Sequence, residues 1–134
     1  MIAALCLDDN NGMMFNHRRQ SRDSRLIANL VDFASGRRIL VNDFSAELFA
    51  EYRVCVDTDF LKSAGCDDIC FVENEDISGC LDRVHTLVIY RWNRKYPSDK
   101  RFNLDIVNLG YKLSEATEFS GTSHDRITRE VYIR

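Results

Sequence analysis

Runs of consecutive apolar residues divide this chain at regular places. Residues 2–7 read IAALCL, and the longest run, residues 84–92, is also mostly apolar. A strand that is covered on both faces is apolar at nearly every position, which is typical of parallel sheets. Shorter runs of the same kind occupy residues 39–41, 54–56 and 69–72. The pattern therefore predicts buried strands at the centre of the fold.

The segments between these strands show helical periodicity. Apolar residues recur every three or four positions over residues 22–34, as they do on the buried face of a helix. Ser21 is a favoured residue type for capping the start of that helix, and Gly36 is suited to its end. Shorter helical segments are expected over residues 45–52, 60–61 and 78–83.

The last part of the chain has a different pattern. Residues 111–119 and 126–134 mix polar and apolar side chains, and the segment SGTSHD at 120–125 joins them. We expect these two strands to form an antiparallel pair at the edge of the sheet. The order of elements predicts a single α/β domain, residues 1–134, with a mostly parallel central sheet, flanking helices and an antiparallel C-terminal strand pair.

Composition places the chain among globular proteins. Of 134 residues, 45% are apolar and 29% are charged, and no apolar run is long enough to cross a bilayer. No basic region precedes the first apolar run, so we interpret that run as a strand and not as a signal peptide. We therefore expect a cytoplasmic protein without membrane association.

The five cysteines form no C-x-x-C pair. Their odd number and apolar surroundings predict reduced thiols that pack as small apolar side chains. Cys66 and Cys70 are four residues apart, but no histidine lies near them in sequence to complete a zinc site. We predict no metal centre.

Charge is distributed unevenly, although the net charge is only −3. Residues 43–82 carry eleven acidic side chains and only two basic ones, whereas basic residues concentrate at 18–25 and 91–101. Such asymmetry either marks a solvated surface or steers a charged partner.

The order of these segments resembles the dihydrofolate reductase family. The strand Ile2-Ala3-Ala4-Leu5 is followed by Asp8 and by a loop containing Gly12-Met13, and Asp23 in RRQSRDSRL falls where that family has an acid at the start of its first helix. RRILVNDFSAELF resembles the next strand, turn and nucleotide-binding helix of the family. VHTLVIYRWNRKYPSDKRFNLDI and YKLSEATEFSGTSHDRITREVYI resemble its long strand and its closing antiparallel strands.

The resemblance fails at the cofactor side. The family holds a dinucleotide phosphate with a glycine-arginine turn, and the matching residues here are Asn42 and Asp43. A glycine-glycine turn of the family corresponds to Val72-Glu73-Asn74-Glu75-Asp76, which has three acids and no glycine. The family also has an additional strand and helix beside the adenosine end of its cofactor, and this chain has no counterpart of them near residues 58–67. An acid beside a phosphate is repulsive, so we predict no NADPH site and no cofactor.

The substrate side of the resemblance centres on Asp23. This acid matches the carboxylate that would bind a pteridine ring, and Phe33, Tyr90 and Trp92 are candidates for the apolar walls of a small-ligand site. The family's proline-tryptophan is replaced by Arg18-Arg19-Gln20, and its arginine for the glutamate tail has no match.

The alternative for Asp23 is structural, because an acid near a helix start is a common partner of the helix dipole. Four arginines surround it in sequence, and Ser21 could cap the helix in its place. We therefore expect an ionised, partly exposed Asp23, whose replacement by Asn changes stability by no more than about 1 kcal/mol.

Two other groups of residues carry candidate chemistry. An anion or RNA site could combine Arg18, Arg19 and Arg22 with Arg91, Arg94 and Lys95, since arginines interleaved with aromatic residues bind single strands. The alternative for residues 91–97 is a strand end that alternates inward aromatics with outward charges. For Ser123-His124-Asp125 we predict a turn and no catalytic triad, because side chains of adjacent residues are expected to diverge.

Three functions remain open from the sequence. The leading hypothesis is a dihydrofolate-reductase-like protein that has lost dinucleotide binding and binds a small ligand near Asp23. The competing hypothesis is an accessory protein that binds RNA or another anion, although the net negative charge makes us expect weak or absent binding of nucleic acid. The third is a structural subunit that forms a homodimer through its edge strands.

Overall fold

The computed structural model describes residues 1–134, and strands dominate it. In chain order the strands are β1 (Ile2–Leu7), β2 (Gly12–Phe15), β3 (Arg18–Arg19), β4 (Ile39–Val41), β5 (Cys55–Val56), β6 (Ile69–Val72), β7 (Thr86–Arg91), β8 (Lys100–Arg101), β9 (Lys112–Phe119) and β10 (Ile127–Ile133). The α-helices are α1 (Ser24–Ala34) and α2 (Phe60–Ser63), and two 3₁₀-helices span Ala46–Phe49 and Ser78–Arg83. No helix is both long and apolar enough to cross a membrane.

Seven strands form the central sheet, in the order β5-β4-β6-β1-β7-β10-β9. The first five of these run parallel, and β10 is antiparallel to both β7 and β9. Ala3 at the centre is level with Cys70 on one side and Leu87 on the other. The predicted mostly parallel sheet with an antiparallel C-terminal pair is therefore confirmed.

Both faces of the central strands are covered, which explains why those strands are apolar at nearly every position. Ala3 and Leu5 of β1 belong to a buried cluster that also contains Met13. Ala4, between them in sequence, points to the other face and belongs to a second cluster with Leu30 of α1. Leu30 is fully buried, and burial of a side chain of that size contributes about 2 kcal/mol.

A second, three-stranded sheet in the order β3-β2-β8 was not predicted. β2 and β3 form an antiparallel hairpin whose turn, Asn16-His17, has φ values of 52° and 62°. Two successive residues with positive φ are typical of the tight turns that join hairpin strands. β3 and β8 consist of two basic residues each, so they carry no apolar pattern, and the short apolar segment of β2 was interpreted as part of a loop.

Two predicted helices differ in the structure. The first begins at Ser24, and its cap is Asp23 and not Ser21. The segment predicted as a helix over residues 45–52 is shorter, a 3₁₀-helix over Ala46–Phe49. The first difference changes the role of Asp23, because the acid is part of the helix start itself.

Candidate functional site

A cavity lies where the parallel strands β1, β6 and β7 end, which is the position at which open α/β sheets bind ligands. Its volume is about 20 Å³, which is room for a single water molecule. The apolar part of the wall includes Cys6 of β1, Phe71 of β6 and Trp92, which directly follows β7. Met13 of the β2–β3 hairpin also contributes to it. The polar part of the wall is contributed by residues 19–23 and by Glu73.

Asp23 forms one corner of this cavity, and the structure corrects the expectation that it is partly exposed. Only 4% of the residue is exposed. Oδ1 accepts hydrogen bonds from the backbone N–H groups of Arg25 and Leu26, at 2.9 and 3.1 Å. Oδ2 accepts from the N–H and the hydroxyl of Ser123, at 2.7 and 2.9 Å. A carboxylate offers about four acceptor positions, so those of Asp23 are filled by the protein.

These hydrogen bonds determine the charge of Asp23. Burial alone would raise the pKa of the carboxyl group, but hydrogen bonds from Ser123, Thr122 and Leu26 outweigh burial and lower the pKa to about 2. The acid is therefore ionised at neutral pH without any cation in contact with it. Loss of an acceptor oxygen would leave buried donors unpaired, so from these contacts we expect Asp23→Asn to cost more than about 1 kcal/mol.

Gly121 makes this corner sterically feasible. A Cβ atom at Gly121 would overlap Asp23 Oδ2 and would lie only 2.6 Å from Ile127 Cδ1. The loop between β9 and β10 can therefore approach the start of α1 only because residue 121 has no side chain.

A second hydrogen-bonded chain extends from Asp23 toward the surface. Ser123 Oγ lies 2.7 Å from His124 Nδ1, and His124 Nε2 lies 2.6 Å from the hydroxyl of Tyr96. The ring of His124 stacks on Trp92, with centroids 4.6 Å apart. Adjacent side chains thus do meet at residues 123 and 124, contrary to prediction, whereas Asp125 takes no part.

The directions of these hydrogen bonds argue against a nucleophilic serine. Ser123 Oγ donates its proton to the ionised Asp23, so it accepts from Nδ1–H of His124. Nε2 of His124 then accepts from the hydroxyl of Tyr96. Burial and the nearby charge of Arg94 lower the pKa of His124, which favours this neutral form of the ring. The arrangement holds the β9–β10 loop on α1.

Gln20 lies in the cavity wall between the buried Asp8 and the exposed Pro97. Its Nε2 donates to Asp8 Oδ2 at 3.1 Å and to the carbonyl of Pro97 at 3.4 Å. A Cβ atom at Gly12 would lie 2.5 Å from this nitrogen, so a glycine is required beside it. Gln20 Oε1 is buried and has no donor within the protein.

Arg19 and Glu73 form a half-buried ion pair in the cavity lining. Arg19 Nε donates to Glu73 Oε2 at 2.9 Å, and one terminal nitrogen donates to the carbonyl of Phe44 at 3.0 Å. The guanidinium also lies over the ring of Phe44 and pairs with Glu47. Burial would lower the pKa of Arg19, but the contacts with Glu73 and Glu47 outweigh burial and raise it.

The residues that match the family's cofactor side are engaged with one another. Asn42 Nδ2 donates to Asn74 Oδ1 and to Glu75 Oε2, both at 2.9 Å. Ser45 donates its N–H to Asn42 Oδ1 at 3.1 Å and its hydroxyl to Glu73 Oε1 at 2.7 Å. The polar groups of this turn are therefore paired inside the protein, among acidic side chains.

The structure separates the candidate wall residues from one another. Trp92 lines the cavity with Asp23, but Tyr90 does not. Tyr90 is fully buried beneath α1, where its hydroxyl donates to Asn29 Oδ1 at 2.8 Å. Phe33 does not line the cavity either, and its ring lies 4.8 Å from the guanidinium carbon of Arg129.

The six basic candidates differ in their exposure and in the groups they contact. Arg19 and Arg22 line the cavity, and Arg18 is exposed in the hairpin. Arg91 lies on β7 and pairs with Glu130 of β10 at 2.8 Å. The remaining two, Arg94 and Lys95, are exposed after β7.

Sequence reasoning missed Gln20, Glu73 and Met13 as members of this site. In the sequence, Gln20 is only part of Arg18-Arg19-Gln20, which replaces the family's proline-tryptophan, and Glu73 is only one of the acids that replace a glycine-glycine turn. No pattern within one segment indicates such contacts, because each partner belongs to a distant part of the chain.

Comparisons with known proteins give a match only at the level of structure. No protein-family model matches the sequence, and no curated protein is significantly similar to it. Among solved structures, the dihydrofolate reductase from Enterococcus faecalis complexed with NADP(H) and RAB-propyl superposes with a TM-score of 0.69. The match covers 100% of this chain and 96% of that one, at 10% sequence identity. The chain therefore has a dihydrofolate-reductase-like fold, in a divergent form.

Proposed function

We propose that this dihydrofolate-reductase-like protein binds a small ligand in the cavity at the strand ends and does not catalyse NADPH-dependent reduction. The observation that carries the proposal is the cavity itself, which combines apolar walls with a few fixed polar groups at the carboxyl ends of β1, β6 and β7. Pockets of that composition at that position are the usual ligand sites of α/β sheets.

The cavity is too small to hold an organic ring without a change in its walls. At about 20 Å³ the space holds one water, so a ring enters only if a wall side chain moves. Met13 is the wall residue best suited to move, because its thioether chain is unbranched and it lies on the short β2–β3 hairpin. Phe71 and Trp92 would then provide the apolar surfaces that contact the ring.

Electrostatics supports the absence of a dinucleotide. Glu73 and Glu75 already accept hydrogen bonds at the turn that matches the phosphate side of the family, and Asp43 and Asp76 are exposed nearby in sequence. A pyrophosphate brought to this turn would meet like charges and would find no free backbone donor at Ser45.

The state of Asp23 supports the absence of reductase chemistry. An acid that assists reduction of a bound ring must hydrogen-bond that ring and exchange a proton with it. Asp23 has no acceptor position left for a ligand, and its pKa of about 2 makes it a poor proton donor at neutral pH.

Thermal unfolding with NADPH tests the negative part of the proposal. We expect no rise in the unfolding midpoint at millimolar NADPH, because a ligand far below its dissociation constant adds nothing to stability. Oxidation of NADPH that depends on dihydrofolate, or a clear upward shift of the midpoint, would contradict the proposal.

Fluorescence tests the positive part, because Trp92 is the single tryptophan of the chain and lies in the cavity wall. We expect small planar compounds to change its emission in a saturable way. The control is Trp92→Phe, which should remove the signal while heat still unfolds the variant cooperatively. If no compound in a broad fragment set changes the emission, the ligand-binding proposal is wrong.

The alternative function, binding of RNA or another anion, has weaker support. Arg18, Arg22 and Lys95 are exposed, but the charges of Arg19 and Arg91 are paired with acids. A single-stranded RNA that binds at micromolar concentration, with an affinity that falls steeply with salt, would favour this alternative.

A further inference from the structure

The two edges of the central sheet differ in length. At one edge, β5 consists of only two residues, which is too short to pair with a further strand. At the other edge lies β9, which has eight residues, and no strand of the chain pairs with its outer side. Residues 112–118 of β9 are all exposed. A long, uncovered edge strand offers a row of unpaired backbone donors and acceptors to another strand.

The hydrogen bonds of the sheet indicate which residues of β9 face outward. The N–H group of Arg134 donates to the carbonyl of His85 at 3.0 Å, so the even-numbered residues of β10 are bonded to β7. The odd-numbered residues of β10 are therefore bonded to β9, at Thr117 and at the residues two positions to either side. The backbone N–H and C=O groups of Ala116 and Glu118 consequently point away from the sheet.

The usual devices that keep an edge strand from pairing are weak in β9. Each of its acids faces a cation of the same molecule, because Glu115 Oε1 lies 2.9 Å from Arg129 and Glu118 Oε1 lies 3.8 Å from Arg126. The strand has no proline, and the β-bulge of the hairpin affects only the start of β9. Free charges, prolines and bulges are what normally protects such an edge. Residues 115–119 therefore remain available to another strand.

Exposed apolar side chains are concentrated beside the same edge. Six large apolar side chains of the molecule are exposed, and four of them lie on or near β9: Val107, Leu109, Leu113 and Ile133. Leu113 belongs to β9, and Ile133 pairs with the first residue of that strand. The other two lie in the turn that precedes β9. Single exposed apolar residues are ordinary, but several beside one unpaired strand are typical of a contact surface.

We propose that this protein forms a homodimer in which β9 pairs antiparallel with β9 of a second copy, about a twofold axis at Ala116. The outward N–H and C=O groups of each Ala116 then bond to those of the other, and the central sheet continues across both copies. Such pairing uses the free edge of each copy, and β5 is too short to continue it, so the assembly closes at two. The inference does not depend on the cavity at the strand ends.

Charge and length select this register. With the axis at Ala116, Glu118 lies opposite Ser114 of the partner subunit, and Glu115 lies opposite Thr117 of the partner subunit. No acid then faces an acid. With the axis at Glu115, two identical carboxylates would lie directly opposite each other, which destabilises a strand pair. With the axis at Thr117, the pairing would extend only from Glu115 to the end of β9, so fewer residues would take part.

Sedimentation and amide hydrogen exchange test the proposal on the unmodified protein. Pairing of two short strands gives a small interface, so we expect a reversible dimer whose population grows between about 5 and 500 µM protein. The backbone N–H groups of Ala116 and Glu118 should become protected from exchange only as the dimer forms. The N–H group of Thr117, which faces β10, should be protected at every concentration and serves as the internal reference.

Ala116→Pro is the variant that separates the edge from the fold. Proline removes an N–H group that points to solvent in the monomer, so the ladder with β10 is kept. We expect the association constant to fall at least about tenfold. Ala116→Ser is the matched control and should dimerise as the unmodified protein does, because serine keeps the N–H group. If the proline variant does not fold, the exchange of Ala116 and Glu118 in the unmodified protein still decides the question.

Several outcomes would overturn the inference. These are a monomer at every concentration, or a dimer in which the amides of Ala116 and Glu118 still exchange rapidly. A dimer that Ala116→Pro does not weaken would form through another surface, and an assembly larger than two would show that the pairing does not close. If the protein stays monomeric and an unrelated extended peptide protects the two amides, the edge receives a foreign strand and the homodimer is wrong.

Discussion

Two acids line the same cavity and are stabilised in different ways. Asp23 receives all of its hydrogen bonds from uncharged groups, two of them local to the helix start and two from Ser123. Glu73 is held mainly by the cation Arg19, with a further hydrogen bond from Ser45. The first arrangement is rigid and depends on exact backbone positions, whereas the second depends on charge. The Asp23 corner should therefore be sensitive to geometry, and the Glu73 corner to salt.

The largest effect is expected for Asp23→Ala. The substitution removes the helix cap and leaves the buried donors of Ser123 and α1 unpaired, so we expect a loss of about 3 kcal/mol in the free energy of unfolding. Asp23→Asn is the matched variant, because it keeps Oδ1 as a cap and turns an amide N–H₂ toward the donors of Ser123. The free energy of unfolding of Asp23→Asn should fall by roughly half as much as that of Asp23→Ala. Urea unfolding measures both, and a loss below about 1 kcal/mol for alanine would show that the corner adapts.

Gly121→Ala tests the same corner through its backbone. The new methyl group overlaps Asp23 Oδ2, so either the loop or the start of α1 must shift, at a cost of about 2 kcal/mol. Gly79→Ala is the control, because a Cβ atom there would meet nothing within 4 Å. The thermal unfolding midpoint of Gly121→Ala should therefore lie clearly below that of Gly79→Ala. Equal midpoints would mean that the close approach of the loop is not required.

Arg19→Ala tests the Glu73 corner. Removal of the cation leaves Glu73, whose side chain is only 9% exposed, with the hydroxyl of Ser45 as its remaining donor. We expect the free energy of unfolding to fall by about 1–2 kcal/mol at low salt. At high salt the difference should be smaller, because the pair is partly exposed and dissolved ions screen its attraction. Arg18→Ala, at an exposed neighbouring position, should have no effect. A loss that does not change with salt would contradict the contrast between the corners.

The smallest effect concerns pH and His124. Its pKa lies below the ordinary value of 6.5, chiefly because of burial, so folding favours the neutral ring. The corresponding stability is complete above the unfolded-state pKa and is lost as pH falls below about 6.5. His124→Gln should remove this step, and the decrease should be smaller than the effect of Arg19→Ala. Unfolding measured across mildly acidic pH detects the difference, and an increase in stability on acidification would reverse the assignment of the neutral ring.

Much of the central sheet could be predicted because its signal is local. Each buried strand is an apolar run, and the C-terminal pair has its own mixed pattern. Tyr90 shows the limit of this reasoning. It shares a face with Trp92, two residues later, but lies one pleat deeper beneath α1, so only Trp92 reaches the cavity. Strand periodicity indicates the face of a side chain, while its depth along the strand depends on where the neighbouring strands end.

The candidate site could be predicted only in part, for a related reason. The family resemblance identified Asp23, yet the partners that fill its acceptor positions include Ser123, which is 100 positions away. Ser21 and Asp23 are both good capping residues, and local sequence does not decide between them. The tertiary contact with Ser123 supports Asp23 as the cap. The environment of Gln20 was equally hidden, since its amide contacts Asp8 and Pro97 from separate segments.

The contact between Asp23 and Ser123 also bears on the order in which the chain can become stable during synthesis. A nascent chain that has reached only β9 already contains α1, but the second oxygen of Asp23 has no partner until residue 123 leaves the ribosome. Until then the carboxylate must stay in contact with water, and the corner of the cavity stays open. The N-terminal helix should therefore be protected from proteolysis only after the C-terminal hairpin is present. Helix α1, which is synthesised early, and the β9–β10 hairpin, which is synthesised late, therefore become stable in the same step.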